Sequence, residues 1–166
     1  MFQDEARIGR ISDPKACWAP RRVRPEAPCQ MVREYTYVFG AVSPSDGCHD
    51  SLILPYADTD AMSLFLKEVA KRHPDEHILM FMDQAAWHKA GALKVPRRVE
   101  LAYLPPYSPD LNPQEQVWDM LREKFLANRL FKSLDAVEDA AEEGLRRPEA
   151  SPDVVASLTR RLWTGN

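Results

Sequence analysis

No run of apolar residues in this 166-residue chain approaches the roughly 18 that a membrane span needs, so no membrane attachment is expected. The first residues, Met1-Phe2-Gln3-Asp4-Glu5-Ala6-Arg7, have no apolar core behind a basic start and do not form a signal peptide. Cysteine is sparse. Cys17, Cys29 and Cys48 are odd in number and form no CxxC pair, which excludes a disulfide framework and a zinc ribbon and points to a reducing cytoplasm. Internal repeats and low-complexity segments are absent as well. The net charge of −3 is too small to name a partner by itself.

The chain does have an ordinary globular composition, 45% hydrophobic and 28% charged, at a length that suits one domain with a real core. Its charge is unevenly spread. Residues 6–33 carry a net +5 and residues 134–153 a net −5. The basic stretch, with Arg7, Arg10, Arg21, Arg22 and Arg24, could meet a polyanion or simply be solvated. The acidic stretch reads as a solvated helix.

Local pattern gives the order of elements. Residues 2–8 read as a strand that begins abruptly, with only Met1 and Phe2 ahead of its acids. Residues 13–33, rich in Pro and Arg, read as a long loop or irregular hairpin. Residues 35–42 and 49–54 read as a strand pair around the turn Ser43-Pro44-Ser45-Asp46-Gly47. Met62, Phe65, Leu66 and Val69 fall at helical spacing in residues 59–73, with Asp58 or Thr59 as cap. Ile78-Leu79-Met80-Phe81-Met82 predicts a strand covered on both faces, ending in Asp83. A short helix is expected at 87–93, a strand at 98–104, and helices to about Ala127, over 134–146 (stopped by Pro148) and over 152–163.

The stretch from Leu104 to Trp118 holds four of the chain's 14 prolines. It is rigid backbone leading into a helix start: Asn112 suits the N-cap, Pro113 the first helical position, and Glu115 follows three residues after the cap. Asn-x-x-Glu is close to a capping box, so the plainest role for Glu115 is a bond back to Asn112. Two other acids occupy comparable places, Asp4 on the first strand and Asp83 at the end of the fourth. Strand ends and helix starts converge on one edge of a parallel sheet, where sites are built. Carboxylates gathered there repel unless cations intervene, and oxygen-only donors suit Mg²⁺ or Mn²⁺. Two such ions serve phosphodiester chemistry. Glu5 alternates to the opposite face from Asp4. Asp110 and Asp119 are spare acids, and Asp119, one turn beyond Glu115, is the natural substitute for it. His88 reads as a DNA contact or as a hydrogen-bonded structural histidine. Trp87 and Trp118 read as packing residues.

Phe2-Gln3-Asp4-Glu5, Met82-Asp83-Gln84-Ala85-Ala86-Trp87-His88 and the whole stretch Leu104–Trp118 together resemble three blocks of the DDE catalytic domain of bacterial insertion-sequence transposases related to the Tc/mariner group. Their order supports the match, as do the 31 residues between Asp83 and Glu115. The resemblance covers roughly residues 1–130, with residues 131–166 as a helical extension packed on the same domain. It implies a ribonuclease-H-like α/β fold: a mixed five-stranded sheet, three antiparallel strands plus two parallel ones, with flanking helices. It implies Asp4, Asp83 and Glu115 as a triad binding two Mg²⁺ or Mn²⁺ ions, and DNA strand cleavage and strand transfer as the reaction. The implied partners are transposon ends, target DNA, further copies of the chain in a dimer or larger assembly, and a helix-turn-helix region, which sits on a separate chain if this is the second frame of a split transposase and not a truncated copy or an excised domain. Two alternatives stay in view: an inactive or binding-only remnant, suggested by the missing N-terminal DNA-binding region, and a ribonuclease-H-like nuclease outside transposition, against which the Pro-rich block before Glu115 argues.

Overall fold

The computed structural model describes residues 1–11 and 14–160. Five strands form one mixed sheet in the order β3-β2-β1-β4-β5. β1 (Phe2–Ile11), β2 (Met31–Ser43) and β3 (Cys48–Leu54) are antiparallel neighbours, whereas β4 (Ile78–Met82) runs parallel to β1 and β5 (Val99–Tyr103) parallel to β4. This is the expected three-plus-two arrangement. β1 is central and ten residues long, so Asp4 lies inside a strand and not at a frayed start. Its ladder with β2 is long, from Phe2↔Val42 to Ile11↔Met31. Its ladder with β4 is confined to the beginning, where Phe2 pairs with Phe81 and the Met1 carbonyl accepts from the Phe81 amide. The β1–β2 pair extends into the Pro- and Arg-rich stretch further than its composition suggested, because each strand supplies the other's backbone partners.

Alternation divides the sheet into two faces. On one, Phe39, Ala41, Met80 and Met82 pack against α1 (Thr59–Arg72) through Met62, Phe65, Leu66 and Val69, the four positions read from its spacing. Burying each such side chain stabilises by about 1.5–3 kcal/mol. The Asp58 carboxylate caps α1 by accepting from the Ala61 amide at 2.9 Å. On the other face, Ala6, Ile8 and Val38 meet α2 (Gln114–Leu121) and α3 (Leu134–Ala150) through Val117, Trp118, Leu121, Val137, Ala141 and Leu145. This second layer stops short of β4. Leu79 is exposed and Phe81 stacks on Phe2 at 5.0 Å between centroids, so β4 is covered on one face and not on both.

Three helix ends differ from the sequence reading. The expected helix at 87–93 is a single 3₁₀ turn, Ala86–His88. The helix after α2 loosens into one π turn, Arg122–Leu126, whose Phe125 ring lies against Gly144 of α3. Pro148 does not stop α3; it sits in the last turn, two residues before the helix ends. α4 spans Pro152–Thr159, and the rest of its expected course to Trp163 lies outside the described residues. Among the described residues no helix is long and apolar enough to cross a membrane.

Candidate metal centre

The sheet edge at the end of β4 and the start of α2 holds a cavity of about 450 Å³. Asp4, Asp83 and Glu115 all line it, together with the proline-rich segment from Leu104 to Pro109. Three carboxylates far apart in sequence are thus brought to one space, each held differently.

Asp4 projects toward α2. One of its oxygens, Oδ2, accepts from Trp118 Nε1 at 3.0 Å. That contact requires α2 to lie close to the sheet, and Gly40, the β2 partner of Asp4, allows it. A Cβ at Gly40 would stand 2.5 Å from the Gln114 side chain and 2.7 Å from the Trp118 ring. Burial pushes the Asp4 carboxyl up to about 7, and the charges of Glu115 and then Glu5 push the same way against the Trp118 bond. Burial and crowded anions both act against the ionised form.

Asp83 follows β4 and is largely exposed. Its Oδ1 accepts from the Ala85 amide at 2.9 Å and from His88 Nδ1 at 2.8 Å. The His88 bond is the leading reason its carboxyl lies below the usual range. The other ring nitrogen of His88 meets Glu5 Oε1 at 2.8 Å, and Trp87 Nε1 donates to the same oxygen at 3.3 Å. His88 has no exposed side-chain surface, so it is a brace between two carboxylates and not a surface for DNA. Burial alone would lower its pKa, but the bonds to Asp83 and Glu5 outweigh it and raise the ring to about 9.

Glu115 is the second residue of α2. The capping box does not form, since the Asn112 amide donates to the Pro109 carbonyl at 2.8 Å. Asn112 works with its side chain at both ends. Its Oδ1 accepts from the Gln114 amide at 3.1 Å, and its Nδ2 donates to the Gln3 carbonyl at 3.0 Å. The start of α2 is therefore fastened to β1 beside Asp4, and Glu115 turns toward the cavity. Burial raises its carboxyl, with Arg122 opposing and Asp119 adding. Asp119 itself is exposed, pairs with Arg122 at 3.7 Å, and does not line the cavity; Asp110 is exposed on the turn before α2.

The basic residues separate into two groups. Arg10 is tied to Glu34 at 2.7 Å and to the Phe131 carbonyl at 3.0 Å, so it holds the fold. Arg7 lies over the Tyr35 ring at 4.7 Å. Arg7 and Arg10 also line a smaller basic cavity of about 130 Å³ with Lys15, Arg122 and Arg129. Arg21, Arg22 and Arg24 are exposed on the loop between β1 and β2. None of these lines the acidic cavity. The sequence did not single out Glu5, Asn112 and Trp118 as site residues, because their contacts are made across elements. Tyr107 was also passed over; it is wholly exposed at the cavity rim, with φ of 56°.

A family model described as DDE superfamily endonuclease matches residues 1–138, and the chain belongs to that family. An uncharacterized protein of Sinorhizobium fredii (strain NBRC 101917 / NGR234), y4pE/y4sA, is 39% identical over 130 residues, covering 78% of this chain and 96% of that one. Among solved structures, the Mos1 transposase paired-end complex with left transposon end matches at a TM-score of 0.59 and 16% identity, over 96% of this chain and 55% of that chain. The Mos1 mariner paired end complex with Mn matches at 0.58 and 16%, over 97% and 56%. At such identity the likeness establishes the fold, the ribonuclease-H-like fold of transposase catalytic cores. The chain spans about half the length of the Mos1 chains it matches.

Proposed function

We propose that this chain is the catalytic core of a Tc/mariner-related transposase, in which Asp4, Asp83 and Glu115 hold two Mg²⁺ or Mn²⁺ ions for DNA strand cleavage and strand transfer. One observation carries the reading: the three acids line a single cavity, and the Asp4 carboxyl is raised to about 7 with Glu115 as the leading neighbouring charge. The donors are all carboxylate oxygens, which fits a hard divalent ion. When bound, such ions would ease deprotonation of a water or 3′-hydroxyl and stabilise the leaving oxygen of a phosphodiester.

The protein's part is to hold the donors. Trp118 fixes one oxygen of Asp4, leaving the other for the cavity. His88 and the Ala85 amide share Oδ1 of Asp83, so Oδ2 is the oxygen available for ligation. Asn112 sets the helix start that presents Glu115. Tyr107 at the rim offers an exposed aromatic face on which a base could stack. The basic cavity lined by Arg7 and Arg129, and the exposed Arg21, Arg22 and Arg24, are the proposed phosphate contacts. Residues 1–130 would be the catalytic unit, with α3 and α4 buttressing it. Recognition of transposon ends and target would come from helix-turn-helix segments, within a dimer or larger assembly. The exposed Cys17 and Cys29 suit a reducing cytoplasm.

The test is cleavage of a transposon-end duplex with Mg²⁺, by this chain together with its DNA-recognition segments. Asp83→Asn should lower the rate by about two orders of magnitude or more, because the metal-held charge balance is lost. Equal rates would sink the assignment. Titration with Mn²⁺ separates this reading from a binding-only remnant, which would fold and yet bind no ion at this cavity.

A further inference from the structure

A second group of donors lies away from the acidic cavity. Cys48 opens the edge strand β3, two strands from β1, and the group lies on the sheet face opposite the one where Asp4 meets α2. Cys48 and Asp50 are two residues apart on a strand and share the face covered by α1. His73, the C-cap residue of α1, completes the group. The Cys48 sulfur is 3.7 Å from His73 Nε2, and His73 Nε2 is 2.7 Å from Asp50 Oδ2. One donor atom from each residue lies within 4.8 Å of the other two.

We propose that Cys48, Asp50 and His73 form a binding site for a zinc-class divalent ion that fastens the edge strand β3 to the end of α1. The donor set is sulfur, nitrogen and oxygen, which selects zinc over the magnesium that an all-oxygen site takes. Tetrahedral zinc with ordinary bond lengths sets sulfur and nitrogen roughly 3.5 Å apart and nitrogen and oxygen roughly 3.3 Å apart. The Cys48–His73 separation already fits. The His73–Asp50 pair must open slightly as the ion replaces the shared proton.

The outer contacts are those that orient zinc ligands. His73 Nδ1 faces Glu76 Oε1 at 3.3 Å, which directs Nε2 inward. Asp50 Oδ1 accepts from Arg72 at 3.0 Å, leaving Oδ2 toward the histidine. Asp50 is nearly buried, with 7% of its side chain exposed, and His73 has 14%. Burial and then the charges of Asp50, Asp46 and Glu76 hold the Cys48 thiol protonated, up to about 11, with Arg72 opposing. Those carboxylates favour a dication in the same place, and its binding would displace the thiol proton. The sequence offered no hint of this site, because neither CxxC nor CxxH spacing marks it.

Cobalt is the probe. In a Cys17→Ser/Cys29→Ser background, which removes the exposed thiols, Co²⁺ titration of the full chain with excess Mg²⁺ present should give a thiolate-to-cobalt charge-transfer band. It should saturate at about one equivalent and be erased by Zn²⁺. Cys48→Ser should abolish the band and His73→Gln should weaken Co²⁺ binding at least tenfold, while Asp83→Asn leaves it unchanged. Circular dichroism checks that each variant is folded, and Zn²⁺ should raise Tm in the parent but not in Cys48→Ser. A parent chain with no band, or a band that survives in folded Cys48→Ser, overturns the proposal and leaves an ion-pair network only.

Discussion

Two histidines in this fold each stand between two carboxylates, and their difference separates a brace from a ligand. His88 has Glu5 and Asp83 on its two nitrogens and no exposed surface. Both ring positions are occupied by oxygen partners, so it can only hold. His73 has Glu76 on one nitrogen, but its other nitrogen faces both Asp50 and the Cys48 sulfur. That second partner, and not the burial, makes its ring a donor to something else. The comparison breaks most visibly by deletion. His88→Ala leaves Glu5 buried and uncompensated, and removing one member of a buried pair costs about 3–5 kcal/mol. It should also release Asp83 and lower cleavage along with stability. His73→Ala, at a half-open edge, should cost markedly less and leave cleavage intact. Urea denaturation at neutral pH measures both. The pH dependence should differ too. The folded pKa of His88, about 9, lies above its free value of 6.5. Its stabilisation is therefore full below 6.5 and fades as pH rises through about 9. A gap between wild type and His88→Gln that failed to narrow above pH 9 would contradict the brace.

Asp4 also loses stability as pH rises, but as a cost of ionisation and not as the loss of a favourable pair. Its carboxyl is raised, so the ionised form costs stability that is absent at low pH and grows as pH climbs from 3.8 through about 7. Asp4→Asn should stabilise the metal-free protein at pH 8 by at most about 4 kcal/mol, and by nothing at pH 3.5. Mg²⁺ should raise the Tm of the wild type but not of Asp4→Asn. A variant that is less stable than the wild type at pH 8 without metal would show that Asp4 is a structural residue and not an unpaired ligand.

Next in size is Gly40. The strand pattern around Tyr35–Val42 was plain in the sequence, and so was the helix start at Asn112, because alternation and capping are local properties. Asp83 and Glu115 were legible for the same reason, since each ends or opens an element whose type could be read, and Asp4 because it falls on a readable strand. What spacing cannot show is how near two elements come. That α2 lies on Gly40, that Trp118 reaches Asp4, and that β4 leaves Leu79 uncovered all depend on packing between distant segments. The capping box at Asn112 and Glu115 failed likewise, since a 3₁₀ turn ahead of the helix already supplies the Asn112 amide with a partner. Gly40→Ala should cost about 1–3 kcal/mol from overpacking against Gln114 and Trp118. It should also lower the Asp4-dependent cleavage rate by displacing α2.

The smallest and most selective break is at Asn112. Its two side-chain bonds do different things: Oδ1 caps α2, and Nδ2 ties that helix start to the Gln3 carbonyl next to Asp4. Asn112→Asp keeps the cap and removes only the tie, since a carboxylate caps as well as an amide. It also sets an acceptor against the Gln3 carbonyl, at a cost of about 1–3 kcal/mol for a buried polar group left without its partner. Asn112→Ala removes both bonds. If the tie positions Glu115, both variants should lose cleavage to a similar degree, with the loss falling on kcat and on Mn²⁺ affinity. KM for DNA should change little, because Asn112 is only 4% exposed at the cavity wall. If Asn112 were only a cap, Asn112→Asp would keep wild-type kcat and Asn112→Ala alone would fall. Measuring the pair side by side therefore separates a residue that starts a helix from one that aims it.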